Sequence, residues 1–166
     1  MKPLHTFDTG EDNVFHLYGA DTQPDAFGRF APLVALWQAK REDRRFPAWK
    51  DFDFEELHPW IGKMSLIDLD PGVVDGVYRL FGGDWVTVLG KDLTGKRYSK
   101  VIPKAARARS RPYLTTHLKD GLIGHRLTSS YWHHRDFIKV EVLELLLSDN
   151  GADATQNFSI VIRAKD

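Results

Sequence analysis

The sequence predicts an α+β fold in which a helical leader precedes a core of short strands and short helices. Three observations favour this class. The chain has 166 residues, a length typical of one domain. Apolar residues near the N-terminus repeat at helical spacing. Short β-type runs bounded by turn signals occur in the middle of the chain and again towards its C-terminal end.

The composition excludes several functional classes. The chain has no cysteine, which rules out disulfides, thiolate metal sites and a cysteine nucleophile. Its 23 basic residues balance 23 acidic ones, so no overall field attracts nucleic acid or an anionic membrane. No apolar run approaches the ~20 residues that span a bilayer, and residues 1–12 lack the apolar stretch of a signal peptide. We therefore expect a cytoplasmic protein that binds neither nucleic acid nor membrane.

Residues 1–25 are interpreted as an N-terminal arm. They are polar, and Gly10, Gly19 and Pro24 interrupt any periodic pattern. The apolar residues within 15–18 are sufficient for one short edge segment. We expect the remainder to be flexible or docked.

Residues 26–62 form the predicted helical leader. A helix is predicted over 27–45, where one face shows the i, i+3, i+4, i+7 spacing of an amphipathic helix. The apolar residues of this face are Phe30, Leu33, Val34 and Trp37. A second, short helix is predicted over 54–58, where Asp53 and Glu56 form a pair typical of a capping box.

Residues 63–166 are predicted to form the core. Strands are predicted over 64–69 and 77–81, because the first run is apolar between breaker residues and an Asp-Gly turn signal separates it from the second. Two short helices are expected next, over 85–89 and 92–95.

The second half of the core begins with a longer helix, predicted over 103–120. Pro112 lies inside this helix and is expected to kink or split it. Three strands are predicted to follow, over 127–132, 137–147 and 156–163, and a Ser-Asp-Asn-Gly sequence signals a hairpin between the last two.

Three local motifs, taken in this element order, resemble the PAS domain superfamily. The sequence YRLFG at residues 78–82 is similar to the second PAS strand. LGKDLTG at residues 89–95 is similar to the turn between the short PAS helices, and LLLSDNG at residues 145–151 to the hairpin between the last two strands. The resemblance covers residues 30–164. It implies a PAS-like, five-stranded antiparallel sheet with short helices on one face and an N-terminal helical leader.

The leader resembles that of a bacterial group of short, mostly single-domain PAS-like proteins. The residues that carry this similarity are Leu36, Trp37, Arg41, Pro47, residues 51–53 and residues 57–60. On PAS domains such leaders often pack against a second copy, so the resemblance and the apolar stripe together imply a homodimer through the leader helix. No output domain follows the last strand, so we expect any signal to pass to a separate partner protein.

The resemblance also implies an internal cavity between the sheet and the short helices. Aromatic residues in the flanking segments are candidate ligand-binding residues, namely Trp85, Tyr113 and Tyr131. Plain core packing is the alternative for each of them. His117 lies four residues after Tyr113, on the same helix face. Haem-binding PAS domains take their axial histidine from this helix, so His117 is a fourth candidate, with an ordinary structural histidine as the alternative.

These expectations favour a non-enzymatic sensory or protein-interaction module that binds a small molecule. The sequence identifies neither a cofactor nor a ligand. No metal site is expected, since adjacent histidines such as His133 and His134 point to opposite faces of a strand. Two alternatives remain open: a pure dimerisation scaffold, and a small enzyme with an acid/base residue in a cavity-containing α+β fold. No serine lies in a sequence motif typical of a catalytic nucleophile.

Overall fold

Seven strands form one antiparallel sheet in residues 2–10, 13–130 and 135–164, which are the residues that the computed structural model describes. The strands are β1 (His5–Asp8), β2 (Val14–Tyr18), β3 (Met64–Leu69), β4 (Gly76–Phe81), β5 (Ile123–Ser130), β6 (Arg135–Leu147) and β7 (Gln156–Arg163). Their order across the sheet is β1-β2-β5-β6-β7-β3-β4. Pairing of β7 with β3 therefore joins the last strand of the chain to the first strand of the predicted core.

The helices lie between these strands in sequence and on both sides of the sheet in space. They are α1 (Ala31–Arg41), α2 (Phe54–Leu57), α3 (Gly83–Leu89), α4 (Tyr98–Val101) and α5 (Lys104–Asp120). Short 3-10 helices occur at Pro24–Phe30, Trp49–Asp51 and His58–Trp60. Within the described ranges, no helix is both long enough and apolar enough to cross a membrane.

The prediction of five strands is wrong, because β1 and β2 extend the sheet. The two strands form a hairpin in which the Thr9 amide donates to the Asn13 carbonyl oxygen at 3.0 Å. β2 continues the sheet beside β5 and buries Phe15 and Leu17. A hairpin at the edge needs only these few inward side chains, and the polar residues between them conceal the alternation in the sequence.

Alternate residues of the central strands supply two separate cores, one on each side of the sheet. The core on the side of α1 contains Leu143, Leu145, Phe158 and Ile160. The core on the opposite side contains Val140, Val142 and Val161. The sheet is thus buried on both faces at β6 and β7.

The apolar stripe of the leader faces the chain's own sheet. Phe30, Leu33 and Val34 are fully buried and Trp37 is 1% exposed. The Trp37 indole Nε1 also donates to the Leu146 carbonyl oxygen at 2.9 Å. The stripe that suggested an interface between two copies is therefore covered within one chain.

Helix α1 is shorter than the helix predicted over 27–45. A 3-10 helix with a break at Gly28 (φ 55°) precedes α1, and Glu42 adopts a positive φ of 56° just after Arg41. The short helix over 54–58 is confirmed as α2, and the Asp53 amide donates to the Glu56 carboxylate at 2.9 Å.

The helices on the opposite side match the predictions in part. The helix predicted over 85–89 is confirmed as α3, which ends at Gly90 (φ 85°). The helical turn predicted over 92–95 is wrong, because the Asp92 carboxylate accepts hydrogen bonds from the Thr94 amide (2.9 Å) and hydroxyl (2.7 Å) and thereby holds a non-helical turn.

Helix α5 is one helix that contains Pro112, so the predicted split does not occur. Burial of Tyr113 and His117 on its inner face stabilises this stretch against the sheet. Strand β5 begins at Ile123, earlier than the strand predicted over 127–132. Residues 131 and 132 of that prediction, and the adjacent His133 and His134, lie outside the described residues.

Candidate ligand-binding cavity

A cavity of about 120 Å³ lies between the sheet and helices α3 and α5, on the side opposite α1. Its wall is mostly apolar. Wall residues from the sheet include Ile67, Phe81, Val140 and Val142, and those from the helices include Val88 and Ala106. The β1–β2 hairpin closes part of the cavity through Phe15 and Asn13.

Helix α3 carries one apolar face towards the cavity. Trp85, Val88 and Leu89 have i, i+3, i+4 spacing, so they share this face, and all three are buried. Phe81 precedes the helix and its ring lies 5.8 Å from that of Trp85. The sequence between the two, Gly82-Gly83, allows the chain to turn from β4 into α3 close to the Gly62 carbonyl oxygen, where a Cβ atom at Gly82 would overlap.

One end of the cavity is polar because β5 and β6 bring two charged residues together. The register places Arg126 opposite Val142 and Glu144 opposite Gly124, so Arg126 and Glu144 are diagonal neighbours on one face. Arg126 Nη2 lies 2.8 Å from Glu144 Oε1, and the side chains are 19% and 4% exposed. The two side chains therefore form a largely buried ion pair.

Tyr113 of α5 completes this pair. Its hydroxyl donates to Glu144 Oε2 at 2.6 Å, so both oxygens of the carboxylate have a partner. Gly124 makes the contact possible, because a Cβ atom at this position would overlap the Tyr113 hydroxyl oxygen. The Arg126 guanidinium also lies over the ring of Tyr113, 5.9 Å from its centroid.

Two more tyrosines of the cavity wall, Tyr78 and Tyr98, are electrostatically coupled to Arg126 and Glu144. Burial raises the pKa of Tyr98 to about 12 and moves that of Tyr78 in the same direction. Burial alone would lower the pKa of Arg126, but the Glu144 carboxylate and the nearby tyrosines raise it above its ordinary value. At neutral pH both phenols are therefore hydrogen-bond donors and Arg126 is charged.

Two donors of the wall have no acceptor among the described residues. They are the indole Nε1 of Trp85 and the Nε of Arg126, and both atoms are buried. The hydroxyls of Tyr78 and Tyr98 are further donors in the same wall. An unsatisfied buried N–H group costs about 1–3 kcal/mol, so an acceptor supplied by a ligand would stabilise the cavity wall.

The structure places the four sequence-predicted ligand-binding residues differently. Trp85 lies in the cavity wall, as an aromatic residue of the short helices was expected to. Tyr113 and His117 lie in α5 behind the wall, and both are fully buried. Tyr131 lies outside the described residues.

The geometry of His117 does not fit haem ligation. Its ring stacks on that of Tyr113 with centroids 5.8 Å apart, and Nε2 lies 3.5 Å from Asn157 Oδ1. Neither nitrogen belongs to the cavity wall, and burial lowers the pKa of the imidazole. The cavity is also smaller than the roughly 300–1,000 Å³ typical of drug-sized ligands. Among the described residues, no group of three or more acidic, histidine or cysteine side chains could hold a metal ion.

Sequence analysis missed the residues of the polar end: Arg126, Glu144, Tyr78 and Tyr98. One signal was present, since Glu144 interrupts the apolar run of β6 at a position that alternates with buried residues. The partner of a carboxylate in such a run depends on strand register, and register cannot be read from one strand alone.

Comparison of the chain with protein-family models, with curated proteins and with solved structures finds no match.

Proposed function

We propose that this protein is a cytoplasmic, non-enzymatic sensory or protein-interaction module of the PAS type, which binds a small molecule in its cavity and signals to a partner protein. The cavity carries this proposal. It lies between the sheet and the helices, its wall is mostly apolar, and this wall holds a largely buried ion pair and buried donors that have no partner among the described residues. This combination of an apolar lining and a few polar groups is typical of small-molecule sites.

The element order supports the PAS resemblance. Strands β3 and β4 come first, helices α3 to α5 follow, and strands β5 to β7 complete the same antiparallel sheet. The cavity lies between this sheet and the helices, which is the location that the resemblance implies. The β1–β2 hairpin is an addition to that arrangement.

The state of Glu144 favours a binding function over acid/base catalysis. A general base must reach a proton of the substrate with a free oxygen. Glu144 Oε1 contacts Arg126 and Oε2 accepts from Tyr113, so both oxygens are engaged. Asp75, the other carboxylate of the wall, accepts hydrogen bonds from the Ser99 hydroxyl and amide at 2.7 and 3.0 Å.

The homodimer through the leader helix is part of the proposal, but its contacts must differ from those first expected. With the stripe of α1 buried, the helix presents Pro32, Ala35 and Ala39 outward. Sedimentation at tens of micromolar tests the dimer, and an Ala35→Arg substitution should dissociate it without affecting the core. A monomer of 19.0 kDa at that concentration would remove the dimer from the proposal.

Native mass spectrometry of protein purified from cells tests ligand binding. We expect a species heavier than the bare chain, from which extraction releases a small molecule at one equivalent per chain. The matched variants are Ala106→Leu, which fills the cavity from α5, and Ala105→Leu, which adds the same side chain to the exposed side of the same helix. Only the first should lose the small molecule. Identical spectra for the wild type and Ala106→Leu would contradict ligand binding and leave a module that acts through protein contacts alone.

A further inference from the structure

The chemistry of the cavity wall defines a class of ligand, an inference that rests on the proposed function. We propose that the cavity takes an uncharged molecule that is mainly apolar and carries one carbonyl-type acceptor oxygen, such as a ketone, an ester or an amide. Three properties of the site support this class: its size, its charge and its surplus of donors.

The size of the cavity limits the ligand to a small molecule. Its volume of about 120 Å³ provides on the order of ten water-sized positions. A molecule with one ring or a short branched chain fills this space. The apolar residues of β6 and α3, such as Val142 and Val88, would contact most of its surface.

The charge of the site favours an uncharged ligand. Arg126 and Glu144 neutralise each other at 2.8 Å, so the guanidinium is not available to balance a second anion. Asp75 is ion-paired with Arg97 at 3.5 Å, and Arg109, the remaining charged residue of the wall, has interactions of its own. An anionic or cationic ligand would therefore bring an uncompensated charge into a low-dielectric space.

The hydrogen-bonding groups favour an acceptor over a donor. Trp85 Nε1 can only donate, and it has no partner among the described residues. The hydroxyls of Tyr78 and Tyr98 keep their protons at neutral pH and lie in the same wall. A carbonyl oxygen accepts from such groups, whereas a hydrocarbon of the same shape leaves Trp85 Nε1 unpaired.

Three probes of one shape separate these contributions: acetophenone, which is neutral and carries an acceptor, cumene, which lacks the acceptor, and benzoate, which is anionic. We would titrate each into the ¹⁵N-labelled full chain and follow the indole N–H signal of Trp85, identified by its loss in Trp85→Phe. We expect acetophenone to bind about five-fold more tightly than cumene, the effect of one neutral hydrogen bond. Benzoate should bind at least about ten-fold more weakly than acetophenone.

Single substitutions then identify the donor. Trp85→Phe, Tyr78→Phe and Tyr98→Phe each remove one donor and keep an aromatic ring, and binding to them is followed through the amide signals of Val140 and Val142. We expect at least one of them to abolish the preference for acetophenone over cumene while the affinity for cumene is retained. Tyr18→Phe is the matched control, since Tyr18 is a buried tyrosine on the opposite side of the sheet, against Phe27.

The outcomes distinguish the ligand class from the proposed function. Equal or tighter binding of cumene or benzoate overturns the ligand class and leaves a small-molecule cavity. A preference for acetophenone that survives all three donor substitutions overturns the assignment of the donor to Trp85, Tyr78 or Tyr98. Failure of all three probes to shift any signal of the cavity wall at millimolar concentration overturns both the ligand class and the proposed binding function.

Discussion

Glu144 is a buried carboxylate whose two oxygens each have one partner, Arg126 and Tyr113. Removing one partner of a buried charged pair leaves the other group desolvated and unpaired, which typically costs more than the pair contributes. The polar end of the cavity is therefore the place where single substitutions should have their largest effect on folding.

Tyr113→Phe should lower the free energy of unfolding by about 1.5–3 kcal/mol, because it removes a hydrogen bond to a buried carboxylate. Glu144→Ala should cost about 3–5 kcal/mol, because it leaves Arg126 without its counter-ion. Urea denaturation measures both changes. Tyr18→Phe, a buried tyrosine on the other side of the sheet, is the control, and an equal loss in Tyr18→Phe and Tyr113→Phe would show that the Glu144 contact has no special weight.

His117 should make stability depend on pH below neutrality. Burial lowers the pKa of His117 from its ordinary value of 6.5, so below this pH the unfolded chain takes up a proton that the folded chain refuses. The free energy of unfolding should then be flat above pH 6.5 and fall below it, by at most about 1.4 kcal/mol per pH unit for this one group.

His117→Gln should flatten this dependence, as measured by urea denaturation between pH 5 and pH 8. The exposed His58 provides the control His58→Gln, which should retain the wild-type slope. Burial also lowers the pKa of His16, and this contribution is the same in both variants. A slope in His117→Gln equal to that of the wild type would refute the assignment.

At the scale of elements, the approach of α5 to β5 depends on the absence of a side chain at Gly124. Gly124→Ala should push Tyr113 away from Glu144 and reduce stability by at least as much as Tyr113→Phe does. Gly83→Ala is the matched control, because a Cβ atom at the start of α3 meets no heavy atom within 4 Å. Thermal unfolding of the two variants checks this, and similar midpoints would contradict the close approach.

The β1–β2 hairpin should contribute to stability even though its sequence is polar. Leu17 is fully buried in a cluster with Phe15 and Tyr113, so Leu17→Ala should cost about 2–5 kcal/mol. Leu4 immediately precedes β1 and is 62% exposed, so Leu4→Ala should change stability by less than about 0.5 kcal/mol. Equal, small effects in the two variants would indicate that the hairpin does not dock on β5.

Helices and strands were predictable where the complete pattern that specifies them lies within one short stretch of sequence. The bounds of β3 and β7 agree with the predictions, because β3 is an apolar run between turn signals and β7 is an alternating run that follows a hairpin signal. The helical turn over 92–95 failed because Asp92 satisfies the backbone locally, which competes with a helix. The polar end of the cavity depends on the register of β5 against β6, which is a tertiary property.

At the scale of the whole molecule, the resemblance to PAS domains implied where a cavity would lie but not which residues would line it. Trp85 was expected at the cavity because the resemblance places the short helices beside it, and it lies in the wall. Tyr113 and His117 were expected to line the cavity, but both lie behind its wall. The inward face of α5 is wide enough that one part of it forms the wall while another part, with these two residues, packs on the sheet.

The placement of the sheet has a consequence for communication across the molecule. Strands β6 and β7 separate the cavity from the leader helix, and alternate residues of the same strand, such as Val142 and Leu143, contact opposite compartments. Backbone amides in this partition are bonded to neighbours on both sides and shielded on both faces, so they should be the slowest in the chain to exchange with deuterated solvent. No residue of the leader lines the cavity, so a molecule bound there meets β6 and β7 on one face while α1 packs on the other.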